Sequence, residues 1–85
     1  MSSTQLSETV TLRYWAAAQA ATGVPEETYP AGSIEEILEA ARSRHPELER
    51  VLAVATILRD GRVVRAGDAV RAGDEVEVLP PFAGG

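Results

Sequence analysis

The sequence predicts an α+β domain in which a single β-sheet carries one main helix on one face. Three observations support this prediction: an alternating apolar pattern near each end of the chain, one capped amphipathic helix between them, and an Asp-Gly turn typical of a β-hairpin. With 85 residues, 45% of them hydrophobic, the chain has the size and composition of one small globular domain. We expect a disordered segment over residues 1–7, the domain over 8–79 and a flexible tail over 80–85.

The first predicted elements are a strand and a short helix. Residues 9–15 alternate between apolar and other side chains with a period of two, and the chain there is rich in strand formers. The side chains expected in the core are Val10, Leu12 and Tyr14. Trp15 follows at the strand end, where its indole N–H can reach a partner group or water. The alanine-rich residues 16–22 then predict one or two helical turns that end at a glycine cap, Gly23.

A short edge strand and the main helix come next. Residues 26–29 stand before Pro30, which cannot donate to a sheet ladder and is typical of an edge. Ser33 and Glu36 form the pattern of a capping box, in which each side chain bonds to the backbone N–H of the other residue. The apolar stripe expected to face the core is Ile34, Ile37, Leu38 and Ala41. Pro46 disfavours a helical conformation at the preceding residue, so we interpret His45 as the helix end and not as a catalyst.

The second half of the chain predicts strands linked by turns. Residues 48–52 form a further apolar turn, and the run 54–58 leads through Asp60-Gly61 into a second strand, a strong hairpin pattern. Two similar six-residue segments, 65–70 and 71–76, each place a Gly-Asp turn before a valine expected to point inward. Residues 75–79 alternate as a last strand that Pro80 ends. Periodicity alone leaves the order of the strands in the sheet open.

Composition excludes several classes of function. The chain has no cysteine and one histidine, which argues against disulfides, cysteine nucleophiles and multi-histidine metal sites, so we expect no bound metal or cofactor. The net charge of −5 disfavours nucleic acid and anionic membranes as partners and favours a basic protein surface. The sequence has no signal-peptide pattern and no transmembrane run, and we expect a cytoplasmic protein. All eight basic residues are arginines, so no side-chain amine is present to accept an isopeptide bond.

The last six residues of the sequence carry the strongest functional pattern. They read Pro80-Pro81-Phe82-Ala83-Gly84-Gly85 and follow directly on a predicted strand. The two prolines end sheet pairing and stiffen the exit, while the two glycines allow a backbone to enter a channel too narrow for a Cβ atom. The alternative is a frayed terminus, which is common in small domains. The combined pattern favours a tail that is inserted into another protein.

These residues resemble the MoaD/ThiS family of ubiquitin-like sulfur carriers, and most of all its MoaD branch, the small subunit of molybdopterin synthase. The resemblance covers residues 8–85. The segments that carry it are Tyr14-Trp15-Ala16, the alanine-rich turn ending at Gly23, Ala31-Gly32-Ser33-Ile34, His45-Pro46-Glu47-Leu48, Gly73-Asp74-Glu75-Val76 and the tail. It implies a β-grasp fold with a mixed sheet of four to five strands, in which the first and last strands pair in parallel at the centre.

The resemblance also implies a chemistry centred on Gly85. An E1-like adenylating enzyme of the MoeB/ThiF type would use ATP to adenylate the terminal carboxylate, which is ionised at neutral pH and a poor electrophile. A sulfurtransferase or another sulfur donor would then supply the sulfur of a thiocarboxylate. The tail would enter the MoaE-type large subunit of molybdopterin synthase and donate that sulfur. The chain would be a carrier without an active site of its own.

The resemblance assigns partner-binding roles along the tail and on the sheet. Gly84 and Gly85 would occupy the narrow channel, with Ala83 beside them, and Phe82 would anchor in an apolar pocket or, alternatively, pack on its own sheet. Pro80 and Pro81 would limit the entropy lost when the tail is ordered. Leu79 and Trp15 are candidates for the partner-facing surface of the sheet. Two departures from the family pattern are Gln19, where many relatives have an arginine, and Asp60, where asparagine is frequent.

Three alternative functions remain open from the sequence. A carrier for thiamine thiazole or for cysteine synthesis would use the same terminal thiocarboxylate. A ubiquitin-like modifier would be attached through Gly85 to lysines of other proteins. A plain interaction domain would have its Gly-Gly ending by chance.

Overall fold

The computed structural model describes residues 8–81, and the sequence predictions for residues 1–7 and 82–85 lie outside this range. Seven strands and three helices follow one another along it. In chain order they are β1 (Thr9–Tyr14), α1 (Ala17–Thr22), β2 (Glu26–Pro30), β3 (Gly32–Ser33), α2 (Ile34–Arg44), α3 (Leu48–Leu52), β4 (Thr56–Arg59), β5 (Arg62–Val63), β6 (Ala69–Val70) and β7 (Glu75–Leu79). None of the described helices is long and apolar enough to cross a membrane.

Five of the strands form one mixed sheet in the order β2-β1-β7-β4-β5. The first and last strands, β1 and β7, lie side by side in parallel at its centre, with Leu12 opposite Val76 and Tyr14 opposite Val78. The other neighbouring pairs in this sheet are antiparallel. The strand count, the central parallel pair and the edge position predicted for β2 are therefore confirmed.

The alternating strands and the main helix meet in one core. Each inward-facing side chain of β1 and β7 is at most 1% exposed, and α2 covers this face of the sheet with its apolar stripe. The buried residues are Val10, Leu12, Tyr14, Ala18, Tyr29, Ile34, Ile37, Ala41, Leu48, Val64, Val70, Val76 and Val78. Because burying one large aliphatic side chain contributes about 1.5–3 kcal/mol, this cluster is the main source of the stability of the domain.

Helix α2 begins and ends where its sequence predicts. The Ser33 hydroxyl accepts from the N–H of Glu36 at 3.1 Å, and the Glu36 carboxylate accepts from the N–H of Ser33 at 3.0 Å. Both bonds of the capping box are present, so the box is confirmed. At the other end the N–H of His45 bonds to Ala41, and Pro46 prevents a further turn.

The turns also follow their predicted residue types. Asp60 and Gly61 both have positive φ angles, 51° and 84°, which is the geometry of a type I′ hairpin between β4 and β5. In the two Gly-Asp turns the aspartate side chain accepts from a backbone N–H three residues earlier, in Asp68 at 2.8 Å and in Asp74 at 2.9 Å. The valines that follow these turns are buried, as predicted.

Two features differ from the sequence prediction. The strand expected from Val54 begins at Thr56, because the N–H of Val54 bonds to the carbonyl of Val51 and continues the turn of α3. Strands β3 and β6 form a separate antiparallel pair that the sequence did not reveal. With two residues each, these strands are too short for an alternating pattern, and their pairing joins the N-terminus of α2 to the loop before β7.

Candidate functional site

The described part of the tail leaves from the centre of the sheet. Strand β7 ends at Leu79, and the next residue, Pro80, is buried while Pro81 is exposed. Pro80 therefore packs against the domain, and Pro81 is the first exposed residue after β7. The predicted tail residues Phe82, Ala83, Gly84 and Gly85 lie outside the described residues.

The outer sheet face, which points away from α2, runs beside the point where the tail leaves. We define this face by six side chains from three adjacent strands or their ends: Arg13, Trp15, Leu58, Glu75, Glu77 and Leu79. The alternation along β1 and β7 turns these residues away from the core. Leu58 lies opposite Glu77 in the β4–β7 register, which places it on the same side.

The structure brings the two sheet residues predicted from the sequence onto this one face. Trp15 is 39% exposed and is one of the large hydrophobic side chains that the fold leaves accessible, and Leu79 is half-buried. Leu58, half-buried as well, was not predicted, because β4 has only four residues and their alternation does not indicate a register against β7. Their assignment to partner binding stays a prediction.

Polar contacts fix the position of Trp15. Its indole Nε1–H donates to Oε2 of Glu77 at 3.2 Å. The guanidinium carbon of Arg13 lies 5.8 Å from the centroid of the indole ring, within the range of a cation–π contact. The carboxylate of Glu77 thus binds the edge of the ring and the guanidinium of Arg13 lies near the ring. These two contacts limit the rotamers that the Trp15 side chain can adopt in the free protein.

Arg13 joins three strands in a row of charges. Its Nη2 lies 2.9 Å from Oε1 of Glu26 on β2, and its Nε lies 2.7 Å from Oε2 of Glu75 on β7. Because these side chains are between 39% and 48% exposed, each pair contributes little to stability, at most about 1 kcal/mol. The row contains two carboxylates and one cation and leaves this part of the surface negative.

A strained turn follows Trp15. Ala16 has φ 48° and ψ −119°, and the N–H of Ala18 bonds to the carbonyl of Trp15 at 2.8 Å. These values match the second residue of a type II′ turn, a position that favours glycine. Ala16 therefore adopts an unfavourable conformation at the junction between β1 and α1, next to the exposed indole. Gln19 is exposed on α1.

A partly buried carboxylate, that of Glu27, supports the inner side of β1 directly behind this turn. Glu27 Oε1 accepts from the hydroxyls of Tyr14 and Tyr29, each at 2.8 Å, and Nε2 of His45 lies 3.0 Å from both carboxylate oxygens. Burial acts to raise the pKa of Glu27, but its hydrogen bonds outweigh burial and lower that pKa to about 2. Burial also raises the pKa of Tyr14 and of Tyr29, which keeps both hydroxyls protonated as donors.

This cluster gives His45 a structural position. It joins the end of α2 to the edge strand β2 through Glu27, in agreement with the interpretation of His45 as a helix-end residue. The sequence did not identify Glu27, because a single glutamate in an edge strand has no pattern of its own. Among residues 8–81 no three metal-ligating side chains lie together.

Comparison with known proteins identifies the family. A sequence profile of the ThiS family matches residues 12–85, which include the whole tail. The chain belongs to the ThiS family. It is a ubiquitin-like sulfur carrier of the MoaD/ThiS type, as the sequence resemblance predicted. No match was found among curated protein sequences.

Several solved structures share the fold of this ThiS-family member over nearly their full length. SAMP1 of Haloferax volcanii is 26% identical with a TM-score of 0.80, and the match covers 91% of this chain and 99% of SAMP1. A putative molybdopterin converting factor subunit 1 of Pyrococcus furiosus is 27% identical with a TM-score of 0.77, covering 87% and 98%. The BexX/CysO complex of Amycolatopsis orientalis contains a chain that is 25% identical with a TM-score of 0.71, covering 89% and 99%.

Proposed function

We propose that this ThiS-family protein carries sulfur for molybdopterin synthesis as a thiocarboxylate on Gly85. The observation that carries the proposal is the family match, which extends to the Gly-Gly end of the tail. The similarity to a putative molybdopterin converting factor subunit supports the pathway, and the proline-aromatic approach to the glycines supports insertion into a catalytic subunit.

The reaction begins with activation of the Gly85 carboxylate. One carboxylate oxygen attacks the α-phosphate of ATP in an E1-like adenylating enzyme, pyrophosphate leaves, and an acyl adenylate forms. The terminal sulfur of a sulfurtransferase persulfide then attacks the acyl carbon and displaces AMP, which leaves an acyl disulfide. A thiol attacks the sulfurtransferase sulfur of this disulfide, which releases the thiocarboxylate and leaves a disulfide between the thiol and the sulfurtransferase. The product is a thiocarboxylate, and ATP is a substrate of the activating enzyme and not a cofactor of the carrier.

The domain presents this tail to a second protein. The large subunit of molybdopterin synthase receives Gly84 and Gly85 in a channel that admits no Cβ atom, and Phe82 anchors the tail in an apolar pocket. The outer sheet face docks beside the channel through Trp15 and Leu79. The carrier contributes the reacting group, while the active site belongs to the partner.

Intact-mass analysis tests this proposal. The full chain is incubated with ATP, an E1-like adenylating enzyme and a sulfur donor, and we expect the mass change for one oxygen replaced by one sulfur at the C-terminus. A variant that lacks Gly85 is the matched control and should remain unmodified. If the full chain gives neither the adenylate nor the oxygen-for-sulfur exchange, the proposed function is wrong.

A second candidate is protein modification. The similarity to SAMP1, described as a small archaeal modifier protein, favours it. In that role the Gly85 carboxylate would form isopeptide bonds with lysines of other proteins, while the absence of lysine in this chain excludes lysine-linked chains of itself. Arg71 is the last basic residue of the chain, so tryptic peptide mapping of cellular conjugates would detect residues 72–85 attached to lysines of the target proteins. The similarity to the chain in the BexX/CysO complex is compatible with a different sulfur-accepting partner. The same assay of thiocarboxylate formation would detect the activated carrier in that case.

A further inference from the structure

Glu77 forms no ion pair with any cationic side chain of residues 8–81. Its contact within this range is to the neutral indole of Trp15. The nearest cation by register is Arg13, which lies directly opposite Glu77 in the β1–β7 pairing. Arg13 is already bound by the carboxylates of Glu26 and Glu75, so it cannot serve Glu77 without leaving those two groups unpaired.

Because of its position, the carboxylate of Glu77 would lose water when a partner covers the outer sheet face. It is half-buried at the middle of the outer sheet face, with Leu58 opposite it on β4 and Trp15 bonded to its carboxylate. A protein that covers the apolar side chains of this face must also remove water from the carboxylate between them. Burying a carboxylate without a counterion is unfavourable, because the charged form loses its hydration and gains nothing in return.

We propose that the partner inserts a cationic side chain, an arginine by its chemistry, opposite Glu77, and that Glu77 thereby selects the partner. This inference rests on the proposed function and names the chemistry of the surface that docks beside the tail. A guanidinium can bind both carboxylate oxygens and lie flat against an aromatic ring, and the indole of Trp15 is adjacent. The net charge of −5 and the negative row of Glu26, Arg13 and Glu75 favour the same basic surface.

The variant Glu77→Gln isolates the charge. Glutamine keeps an oxygen that accepts from the indole N–H but removes the negative charge. Glu35→Gln is the matched control, because Glu35 is exposed on α2 on the opposite side of the sheet. Affinity for the purified large subunit of molybdopterin synthase is measured by calorimetry for the full chain and both variants at several salt concentrations.

We expect Glu77→Gln to weaken binding by at least about tenfold and to reduce its salt dependence, with Glu35→Gln close to the unmodified chain. Charge reversal in Glu77→Arg should abolish binding, and an arginine-to-glutamate change at the facing position of the large subunit should restore it. Trp15 is the single tryptophan, so its fluorescence in the free variants reports whether the ring and the fold are unchanged.

Whether Glu77→Gln binds the large subunit more weakly or more tightly than the unmodified chain decides the proposal. If the partner has no cation at this position, removing the charge lifts a desolvation penalty, and Glu77→Gln binds more tightly; that result, or an unchanged affinity, overturns the inference. Failure of the unmodified chain to bind this subunit overturns both the molybdopterin role and the partner chemistry. The thiocarboxylate assay tests the carrier function, and absence of the sulfur exchange would contradict it. The binding comparison between the unmodified chain and Glu77→Gln tests the role of Glu77 independently of that assay.

Discussion

The hydroxyl of Tyr14 donates to the carboxylate of Glu27 at 2.8 Å, and this bond links a central strand to the edge of the sheet immediately before Trp15. Because Glu27 also bonds to Tyr29 and to His45, one carboxylate connects β1, β2 and the end of α2. The inner network thus supports the strand end that presents the indole on the outer sheet face.

Replacing Glu27 should destabilise the domain. Glu27→Gln retains one acceptor oxygen but turns an amide toward groups that now donate to a carboxylate, and we expect a loss of about 1–3 kcal/mol in the free energy of unfolding. Urea denaturation measures this loss. Glu26→Gln, in the same strand but on the outer face, is the control and should cost less than about 1 kcal/mol. Equal effects of the two changes would contradict a special role for Glu27.

The same carboxylate predicts acid sensitivity. The folded-state pKa of Glu27, about 2, lies below its ordinary value of 4.5, so the stabilisation is complete above pH 4.5 and is lost as pH falls toward 2. The shift corresponds to at most about 3 kcal/mol. The difference in unfolding free energy between the unmodified chain and Glu27→Gln should therefore shrink between pH 5 and pH 3. A difference that stays constant over this range would show that the charge of Glu27 contributes nothing.

Relieving the turn at Ala16 should stabilise the protein. Ala16→Gly removes the Cβ atom from a residue with φ 48° and ψ −119°, and we expect a gain of about 1 kcal/mol after the entropy of glycine in the unfolded chain is included. Ala17→Gly, at the first residue of α1, should instead lose about 0.5–1 kcal/mol. Thermal unfolding of both variants checks the opposite signs. A loss in Ala16→Gly would mean that the turn is not strained.

The hairpin between β4 and β5 depends on one glycine. Gly61 has φ 84°, while an added Cβ atom would meet nothing within 4 Å, so the cost of Gly61→Ala is purely conformational. We expect a loss of about 1 kcal/mol. Gly67→Ala is the matched control, since its site is equally open and has no such φ, and it should be neutral within about 0.5 kcal/mol. Chemical denaturation distinguishes the two, and a neutral Gly61→Ala would exclude the type I′ geometry.

Extending the tail should block function without affecting the fold. If Gly85 carries the thiocarboxylate as proposed, one alanine added after it moves the carboxylate away from the position where it would react, and we expect sulfur transfer to be lost while the melting temperature stays unchanged. Mass spectrometry of the thiocarboxylate and a thermal scan provide the two readouts. Sulfur transfer by the extended chain would refute the role of Gly85 as the reacting residue.

Local rules explain which parts of the fold were predictable. The capping box of Ser33 and Glu36 and the turn at Asp60-Gly61 depend on contacts within a few residues, so their patterns are visible in the sequence. The same holds for Gly23, which caps α1 in the left-handed conformation. The parallel pairing of β1 and β7 joins opposite ends of the chain, and it was predicted only through the family resemblance.

The candidate site was predictable to a smaller extent. Trp15 and Leu79 were identified as sheet-surface candidates, but the contacts that define their surroundings come from other strands. Glu77 reaches Trp15 across 62 positions of sequence, and Leu58 enters the face through the β4–β7 register. The conformation of Ala16 was also not predicted. Alanine in an alanine-rich segment favours a helix, but the turn between β1 and α1 places Ala16 at a positive φ angle instead.

The central place of β7 has a consequence for synthesis of the protein on the ribosome. Until residue 79 has left the exit tunnel, β1 and β4 lack the strand that separates them, and the sheet cannot be completed. A chain that stops before β7 lacks the middle of its sheet together with its tail, so it remains unfolded and open to proteases. We expect such truncated chains to be degraded before they can compete with the full chain for a partner protein.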